Sequence, residues 1–556
     1  MKHADYASTC PRALPVFGPR RDRGTPGPVL ALAVGLLAGG LLPVRAAPMD
    51  LMVTVESLAP ANGTLVAPVW IGFHDGTFDG FDAGGMASAA LESLAEDGDA
   101  APLDAAFQGS GSGQVSGVIA SEGALPPFAP GSHASMRFRL DSALPTSRYL
   151  SYAAMVVPSN DAFIGNDDPR AIPVFDEAGR FVGGSLVVAG TEVWDAGTEV
   201  NDELPMNTAF LGQAAANTGS TEGSGVGVHP GFHPAGSGGI LDGSFNGFSF
   251  SGADFKQPGY QVVRITITRV MPVTVTIENV GPTHGTLFSP VWVGFHDGAF
   301  DAFDQGAAAG SALERLAEDG NATLLSDAFQ AGGHGSVEAT LQSGGEIPPF
   351  ASGERMSHTF WLDPDKSGSR YFSYAAMVVP SNDAFMGNDD PMRHPVFDAE
   401  GHFVGGSFTV MGGQVWDAGT EVNDELPMNT AFLGQATPNT GANEGGVVMP
   451  HPGFKAPGMG GIRDGSFNGF TFADADLKDP GYRVARITLS VGPVITGLQL
   501  GQGMARITWV GGEGPFTIQT RPSLVTGAWQ DVLTTTEHLA EPPVEGALGF
   551  FRVVGP

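Results

Sequence analysis

The sequence is poor in cysteine and in basic residues. Its 556 residues include one cysteine, Cys10, which excludes a scaffold stapled by disulfides. There are 27 Lys and Arg against 59 Asp and Glu. The formal charge of −32 excludes nucleic-acid binding as a main function, because such a chain repels phosphate backbones. An anionic membrane surface is disfavoured too unless a cation bridges the two, whereas divalent metals and cationic partners are favoured.

The amino terminus lacks an apolar run long enough for a clear membrane-spanning helix. Residues 29–42 are apolar but short and rich in glycine. Three arginines precede this run and Val44-Arg45-Ala46 follows it, which is typical of a secretory signal peptide. We interpret residues 1–46 as a signal peptide, with a single membrane anchor as the alternative. We therefore expect a secreted, extracellular or cell-surface protein without an integral membrane segment after processing.

Glycine and proline are abundant, at 81 and 42 residues, and no collagen period is present. This composition favours short strands joined by many turns. Hydrophobic residues make up 42% of the chain, which is enough to bury real cores. The length predicts several domains.

A long duplication organises the sequence. Residues 193–214 recur identically at 415–436, an offset of 222. A period of this length indicates a copied domain rather than a solenoid repeat. We predict two tandem domains, at 51–270 and 273–490. The connection from Arg269 to Pro272 is so short that it predicts a restricted angle between them.

The segments with the clearest pattern are β-strands. VTVESL, MRFRL, YLSYAAMVV, SLVVAG and VVRITIT combine β-branched or aromatic residues with partial alternation. One segment, 87–94, favours a helix that stops at Gly98. Residues 494–556 resemble a small fibronectin-III-like or immunoglobulin-like β module, in which we expect Trp509, Trp529 and Phe550–Phe551 to form the core.

Acidic residues that occur in both copies cluster in two loops that follow strands. The first contains Asp161 and then Asp167-Asp168, and the second runs from Asp195 to Glu203. The two loops can meet at one end of a sandwich, where carboxylate and carbonyl oxygens would suit a hard cation such as Ca²⁺. The alternative is that these carboxylates cap turns and solvate the loops.

Three ordered motifs in each copy resemble the spondin N domain family: VWIGFHDGTFDGFDAGGMASAALESLAEDG, MVVPSNDAF and WDAGTEV. The resemblance implies two antiparallel β-sandwiches similar to C2 domains, each with one bound Ca²⁺. The implied metal ligands are Asp161, Asp195 and Glu199 in the first copy and Asp383, Asp417 and Glu421 in the second. The sequence departs from the family at Ala162 and Ala384, where the family has Trp, and at the two glutamates, where it has Asp.

No catalytic residue is predicted. No HExxH or Gly-x-Ser-x-Gly pattern is present, and His74 and His229 are interpreted as structural histidines. Glu96-Asp97 and Glu318-Asp319 are interpreted as solvated loops.

The sequence therefore predicts an exported, non-enzymatic, calcium-binding adhesion or matrix- and surface-binding protein. The expected partner is an extracellular glycan, a matrix component or a cell-surface protein. A metal-dependent exported hydrolase and a structural component of the cell envelope are the alternatives.

Overall fold

The computed structural model describes residues 48–556 except 124–125, 216–217, 246, 346–348, 438–439, 502, 511, 513, 522–527, 545–549 and 556. The predicted signal peptide and Cys10 lie outside the described residues. Antiparallel strands dominate the described chain, as the sequence predicts.

The first part of the chain forms these elements: β1 (Pro48–Ser57), β2 (Leu65–Val66), β3 (Val69–His74), α1 (Ala89–Asp97), α2 (Ala101–Ser110), β4 (Gly113–Ile119), β5 (His133–Asp141), β6 (Tyr149–Val157), β7 (Ala162–Gly165), β8 (Gly184–Ala189), β9 (Trp194–Asp195), β10 (Gly227–Val228), β11 (Ser244–Phe245), β12 (Phe248–Ser249) and β13 (Gln261–Asn279). The second part forms β14 (Leu287–Phe288), β15 (Val291–His296), α3 (Ser311–Asp319), α4 (Thr323–Gly332), β16 (Val337–Leu341), β17 (Arg355–Leu362), β18 (Tyr371–Val379), β19 (Ala384–Gly387), β20 (Ser407–Met411), β21 (Trp416–Asp417), β22 (Met449–Pro450), β23 (Ser466–Phe467), β24 (Phe470–Thr471) and β25 (Arg483–Ser490). The tail forms β26 (Val494–Gly501), β27 (Met504–Val510), β28 (Phe516–Arg521), β29 (Gln530–Thr535), β30 (Leu539–Ala540) and β31 (Phe550–Val554). Short 3₁₀ helices lie at Pro145–Ser147, Gly190–Glu192, Ile240–Asp242, Ser367–Ser369, Gly412–Gln414, Pro427–Asn429 and Ile462–Asp464.

One sheet runs through both copies, in the order β20-β25-β13-β1-β5, and β8 and β17 also pair with β13. Each copy adds a sheet of its own. That of the first copy has the order β10-β9-β7-β6-β3-β4, and that of the second has the order β22-β21-β19-β18-β15-β16. A buried apolar cluster fills each copy between the shared sheet and its own sheet. Two tandem β-sandwiches result.

Strand β6 shows why the run YLSYAAMVV is apolar almost throughout. Ala154 and Val156 pack into the sandwich core. Ala153 points the other way and packs with Trp70 and Phe107, in a cluster that also contains residues of both helices. A strand that is covered on both faces does not alternate between apolar and polar residues.

The predicted helix is present as α1. The Ser88 hydroxyl accepts a hydrogen bond from the backbone N–H of Leu91 at 3.2 Å, and Gly98 ends the helix with φ of 68°. The sequence analysis missed α2, whose apolar residues Leu103 and Phe107 face the same cluster.

The expected connection between the copies is not a loop. Residues 269–272 lie inside β13, an uninterrupted strand of 19 residues. Its first half pairs with β1 and its second half with β17 and β25. The short connection expected at these residues is therefore part of a strand, because the last strand of one sandwich continues directly as the first strand of the next.

The tail forms two three-stranded antiparallel sheets, β26-β27-β30 and β29-β28-β31. Trp509 is buried in their core, as expected. Trp529 and Phe550 are not in that core. Trp529 is half-buried with the Arg552 guanidinium 4.6 Å from its ring centroid, and Phe550 is 37% exposed.

Candidate metal centre

The loop between β6 and β7 brings Asp161 into the interior at one end of the first sandwich. The side chain is fully buried. Its Oδ2 accepts hydrogen bonds from the backbone N–H of Thr198 at 2.8 Å, the Thr198 hydroxyl at 3.1 Å and the backbone N–H of Glu199 at 3.1 Å. Its Oδ1 is buried without a hydrogen-bond partner. The two acidic loops predicted from the sequence therefore meet at this residue.

Glu199 is the second carboxylate of the group. Its Oε1 accepts a hydrogen bond from the backbone N–H of Gly219 at 2.6 Å, and its Oε2 is buried without a partner. A Cβ atom on Gly219 would lie 2.1 Å from the Glu199 carboxylate, so any other residue here would have to displace that carboxylate. An orphaned, buried carboxylate oxygen is costly unless a cation or a donor meets it.

Asp195 supports the same loop from its half-buried position beside Asp161. Its Oδ1 accepts from the backbone N–H of Gly197 at 2.8 Å, and its Oδ2 accepts from the Asn201 amide at 2.5 Å. Both oxygens of Asp195 thus have donors already. A cation at this residue would share these oxygens with the loop.

The sequence analysis missed a further carboxylate, Glu96 at the end of α1. Its side chain is 1% exposed, so the interpretation of this segment as a solvated loop was wrong for Glu96, although Asp97 is exposed. Its Oε2 is buried without a partner. Burial raises the pKa of Glu96 to about 7, the Thr198 side chain lowers it, and the charges of Glu199 and Asp161 raise it further. The helical spacing of the α1 apolar residues, which places Glu96 on their buried side, could have revealed it.

The other carboxylates have raised pKa values for related reasons. Burial and then the charge of Asp195 raise the pKa of Asp161 to about 6. Burial raises that of Glu199 to about 7, with Asp161 among the neighbouring charges that add to it. Converging carboxylates in a buried place repel one another, and a cation would relieve that repulsion.

The second copy repeats the arrangement. Asp383 Oδ2 accepts from Thr420 N–H at 2.8 Å, the Thr420 hydroxyl at 3.1 Å and Glu421 N–H at 3.0 Å. Glu421 Oε1 accepts from Gly441 N–H at 2.6 Å, and Asp417 accepts from Gly419 N–H at 2.7 Å. Buried oxygens without partners are again found on the equivalent carboxylates, Asp383, Glu421 and Glu318. Glu318 is 2% exposed, so its interpretation as a solvated residue was also wrong.

The donor set fits a hard cation. All candidate ligand atoms are carboxylate oxygens, which Ca²⁺ prefers in proteins. In the described part of the chain, Asp398, Glu400 and His402 are the group whose ligand atoms all lie within 4.8 Å of one another. They occupy a turn in which Asp398 already accepts from the backbone of the other two. The predicted ligand atoms do not all lie this close to one another, so a cation held by all of them would require the carboxylates to move closer together.

The candidate ligands were inferred from a resemblance to the spondin N domain family, and a comparison with family models confirms that resemblance. The Spondin_N family model matches residues 62–201 and 278–423, which is just over half of the chain. The chain belongs to the spondin N domain family. Both candidate centres, including Glu96 and Glu318, lie inside the matched ranges. No curated protein matches the chain.

Two acidic groups named from the sequence do not reach the centre of their spondin domain. Asp167 and Asp168 follow the far end of β7, and Asn166 beside them bonds the backbone of Tyr152 instead. Glu203 is buried but satisfied, since its carboxylate accepts from the backbone N–H groups of His233 and Ile240. Of the acidic residues in the two loops, Asp167, Asp168 and Glu203 therefore lie outside the candidate centre.

His74 and His229 of the first spondin domain are held by hydrogen bonds at both ring nitrogens. His74 accepts the Gly76 N–H at Nδ1, so its Nε2 carries the proton and donates to the Ser151 hydroxyl at 2.9 Å. This tautomer cannot take a proton from the serine. His229 likewise accepts from Gly231 at Nδ1 and donates from Nε2 to Asn201. Burial lowers the pKa of His74 to about 4, despite the opposing charge of Asp75, so the ring is neutral at physiological pH.

Spondin domains are typical of extracellular proteins and are generally non-enzymatic. Among the described residues, no helix is long and apolar enough to cross a membrane.

Proposed function

We propose that this chain is an extracellular, calcium-stabilised adhesion protein that binds matrix or cell-surface ligands and catalyses no reaction. The observation that carries the proposal is the same in both domains: three buried carboxylates, Asp161, Glu199 and Glu96 in the first, each keep an oxygen without a hydrogen-bond partner. Asp195 belongs to the same group, because its charge raises the pKa of Asp161. A divalent cation meets these oxygens and offsets their repulsion.

The cation would act as a cross-link between loops. Asp161 already holds the loop at Thr198 and Glu199 through three hydrogen bonds. Glu199 holds Gly219, and Glu96 comes from α1. A cation shared by these side chains joins a helix and two loops without a disulfide. That role suits an exported chain with so little cysteine.

The surface beside each centre favours a protein ligand over a glycan. Val200, Leu204 and Met206 follow Glu199 directly and are 40%, 51% and 70% exposed. Among the described residues of both spondin domains, the large apolar side chains with high exposure are aliphatic or methionine. Exposed apolar groups mark protein-binding surfaces, and methionine adapts to varied partners, whereas sugars have little apolar surface for such side chains to cover.

A binding screen with the full chain tests the proposal. Immobilised matrix proteins and glycans are probed with the chain in calcium and again in a chelator. We expect binding to a protein in calcium that is lost in the chelator and weakened by Met206→Glu with Met428→Glu. Binding that is equal in both conditions, or turnover of the bound material, would contradict the proposal.

A further inference from the structure

The uninterrupted strand β13 fixes how the two candidate centres are placed. Asp50, at the start of β1, lies opposite Val270, and Ser57, at its end, lies opposite Val263. Strand β1 therefore begins where the copies meet and runs outward. In the second copy the corresponding strand is the second half of β13, which runs outward from Met271 to Asn279. The first strands of the two sandwiches diverge from a common junction.

Each candidate centre lies at the outer end of its own sandwich. Beyond the outer end of β1, the chain returns as β2, where Leu65 pairs with Val157, the last residue of β6. Asp161 follows four residues later. In the second copy Leu287 pairs with Val379 in the same way, four residues before Asp383.

The opposite end of the second sandwich faces the first copy. His296 pairs with Tyr371 at the start of β18, and the adjoining residues Asp297 and His334 line a cleft with Thr54 and Ser135 of the first copy. The start of β18 is thus near the junction and its end is remote from it. Both centres point away from the place where the copies meet.

Side chains at the junction hold this arrangement. The Arg269 guanidinium binds the Asp365 carboxylate through two hydrogen bonds, of 2.7 and 3.1 Å. The Arg137 guanidinium of the first copy lies 4.0 Å from the ring centroid of Trp361 in the second. From Val263 to Asn279, β13 spans about 50 Å at roughly 3.3 Å per residue. This length of strand separates the outer ends of the two sandwiches, where the two candidate centres lie.

We propose that the chain is a two-headed bridge, in which two like faces, one around each candidate centre, point in opposite directions and bind one ligand each. The inference rests on the proposed function for the ligand, a protein with an apolar contact surface. Two faces placed in this way join two separate bodies rather than giving avidity toward a single surface. Two faces that lie at opposite ends of about 50 Å of strand and point away from each other cannot both reach one flat surface.

The first test measures the separation and needs no calcium. Leu204 and Leu426 are equivalent residues, 51% and 46% exposed. The full chain with Cys10→Ser, Leu204→Cys and Leu426→Cys is labelled with nitroxides, and the distance is measured by pulsed electron paramagnetic resonance. We expect one narrow distance of about 50 Å or more, the length of strand that separates the outer ends. A broad distribution, or a peak at little more than half that length, would overturn the bridge whatever the chain binds.

The second test measures bridging with a defined probe. A Fab selected for the exposed segment 200–206, which recurs identically at 422–428, is fixed to beads. We expect a chain held on a bead through one face to capture soluble Fab with the other and to cross-link beads. A chain with Leu426→Asp and Met428→Asp should bind beads without cross-linking them. Failure of the bead-held unaltered chain to capture soluble Fab would overturn the proposal.

The third test separates this inference from the proposed function. Gadolinium(III) replaces calcium in the unlabelled chain, and the Gd–Gd distance is measured. A distance at least as long as the strand between the outer ends supports both proposals. Absence of bound gadolinium, together with the expected nitroxide distance, would contradict the metal centre while leaving the opposed geometry intact. A Gd–Gd distance at little more than half the strand length would overturn the bridge.

Discussion

The two spondin domains agree at the candidate metal centre and differ at the junction between them. Residues 193–214 and 415–436 are identical, and the bond from Thr198 N–H to Asp161 measures 2.8 Å, as does its equivalent in the second copy. At the junction, by contrast, Arg139 of the first copy is replaced by Trp361, which lies under Arg137. The acidic loops therefore have the same groups in both copies, whereas the residues at the junction differ with each copy's place in the tandem.

The largest expected effect comes from removing a central carboxylate in either copy. Asp161→Asn or Asp383→Asn should abolish the calcium-dependent part of that domain's stability, because each residue joins the two loops of its centre. At a free calcium concentration 100 times the Kd, that part is about 2.7 kcal/mol, or several degrees in Tm. Calorimetry of the full chain in calcium and in chelator measures it.

Asp167→Asn is the matched control, since Asp167 lies at the other end of β7. It should leave the calcium effect unchanged. Unequal losses from Asp161→Asn and Asp383→Asn would show that the two centres are not equivalent.

The next effect is a dependence on pH that both copies should share. In the calcium-free chain Asp161 has a pKa of about 6 and Glu199 of about 7, both above their ordinary values. A carboxyl group whose pKa is raised by folding stabilises the folded state at a pH below its ordinary pKa. This stabilisation is lost as the pH rises through the pKa of the folded state. Calcium competes with those protons. The gain in Tm from calcium should therefore shrink as the pH falls from about 8 to about 5.

Buried histidines oppose this trend. Burial lowers the pKa of His74 to about 4, so the contribution of such a histidine to the stability of the fold rises with pH. That contribution is the same with and without calcium and cancels in the difference. A calcium effect that stays constant over this pH range would show that the raised carboxylates do not hold the ion.

A smaller effect separates the copies. His229 donates to Asn201 at 3.0 Å, whereas Nε2 of the equivalent His451 is buried without a partner. His229→Phe leaves the Asn201 oxygen without its donor, so it should cost about 1 kcal/mol more than His451→Phe. Calorimetric unfolding of the two variants checks the difference. Equal costs would mean that the bond to Asn201 contributes nothing.

The smallest effect concerns helix charge near the centre. Arg315 forms an ion pair with Asp319 in α3, where the first copy has Ser93 in α1. The Arg315 side chain is 37% exposed but that of Asp319 is only 4% exposed, so Arg315→Ser removes a charged partner from a nearly buried carboxylate and should cost about 1 kcal/mol at most. Ser93→Arg should stabilise the first domain by no more than the same amount. A change in calcium affinity beyond threefold in either variant would show that helix charge controls the centre.

The sequence predicts the fold well because its signals are local. The strand YLSYAAMVV and the stop at Gly98 both depend on residues near in the chain, and the exact duplication reveals the tandem. The unbroken strand was missed because Pro272 between two strand patterns indicates a break, yet it is accommodated inside β13.

The candidate centre was predicted only in part, because local sequence identifies some of its residues and not others. Asp161, Asp195 and Glu199 stand in loops that match a family motif, so position in the chain identifies them. Glu96 comes from a helix much earlier in the chain, and only tertiary packing brings its charge near Glu199 and Asp161. Asp167 shows the converse. It is close to Asp161 in the sequence, but the strand β7 lies between them and places Asp167 at its other end.

We propose one cation per spondin domain, held by carboxylates that otherwise repel one another. Calorimetric titration of the full chain with calcium tests it most directly. We expect two calcium ions per chain, one after Asp161→Asn or Asp383→Asn, and none when both are changed. No binding by the unaltered chain, or two ions still bound by the double variant, would contradict it.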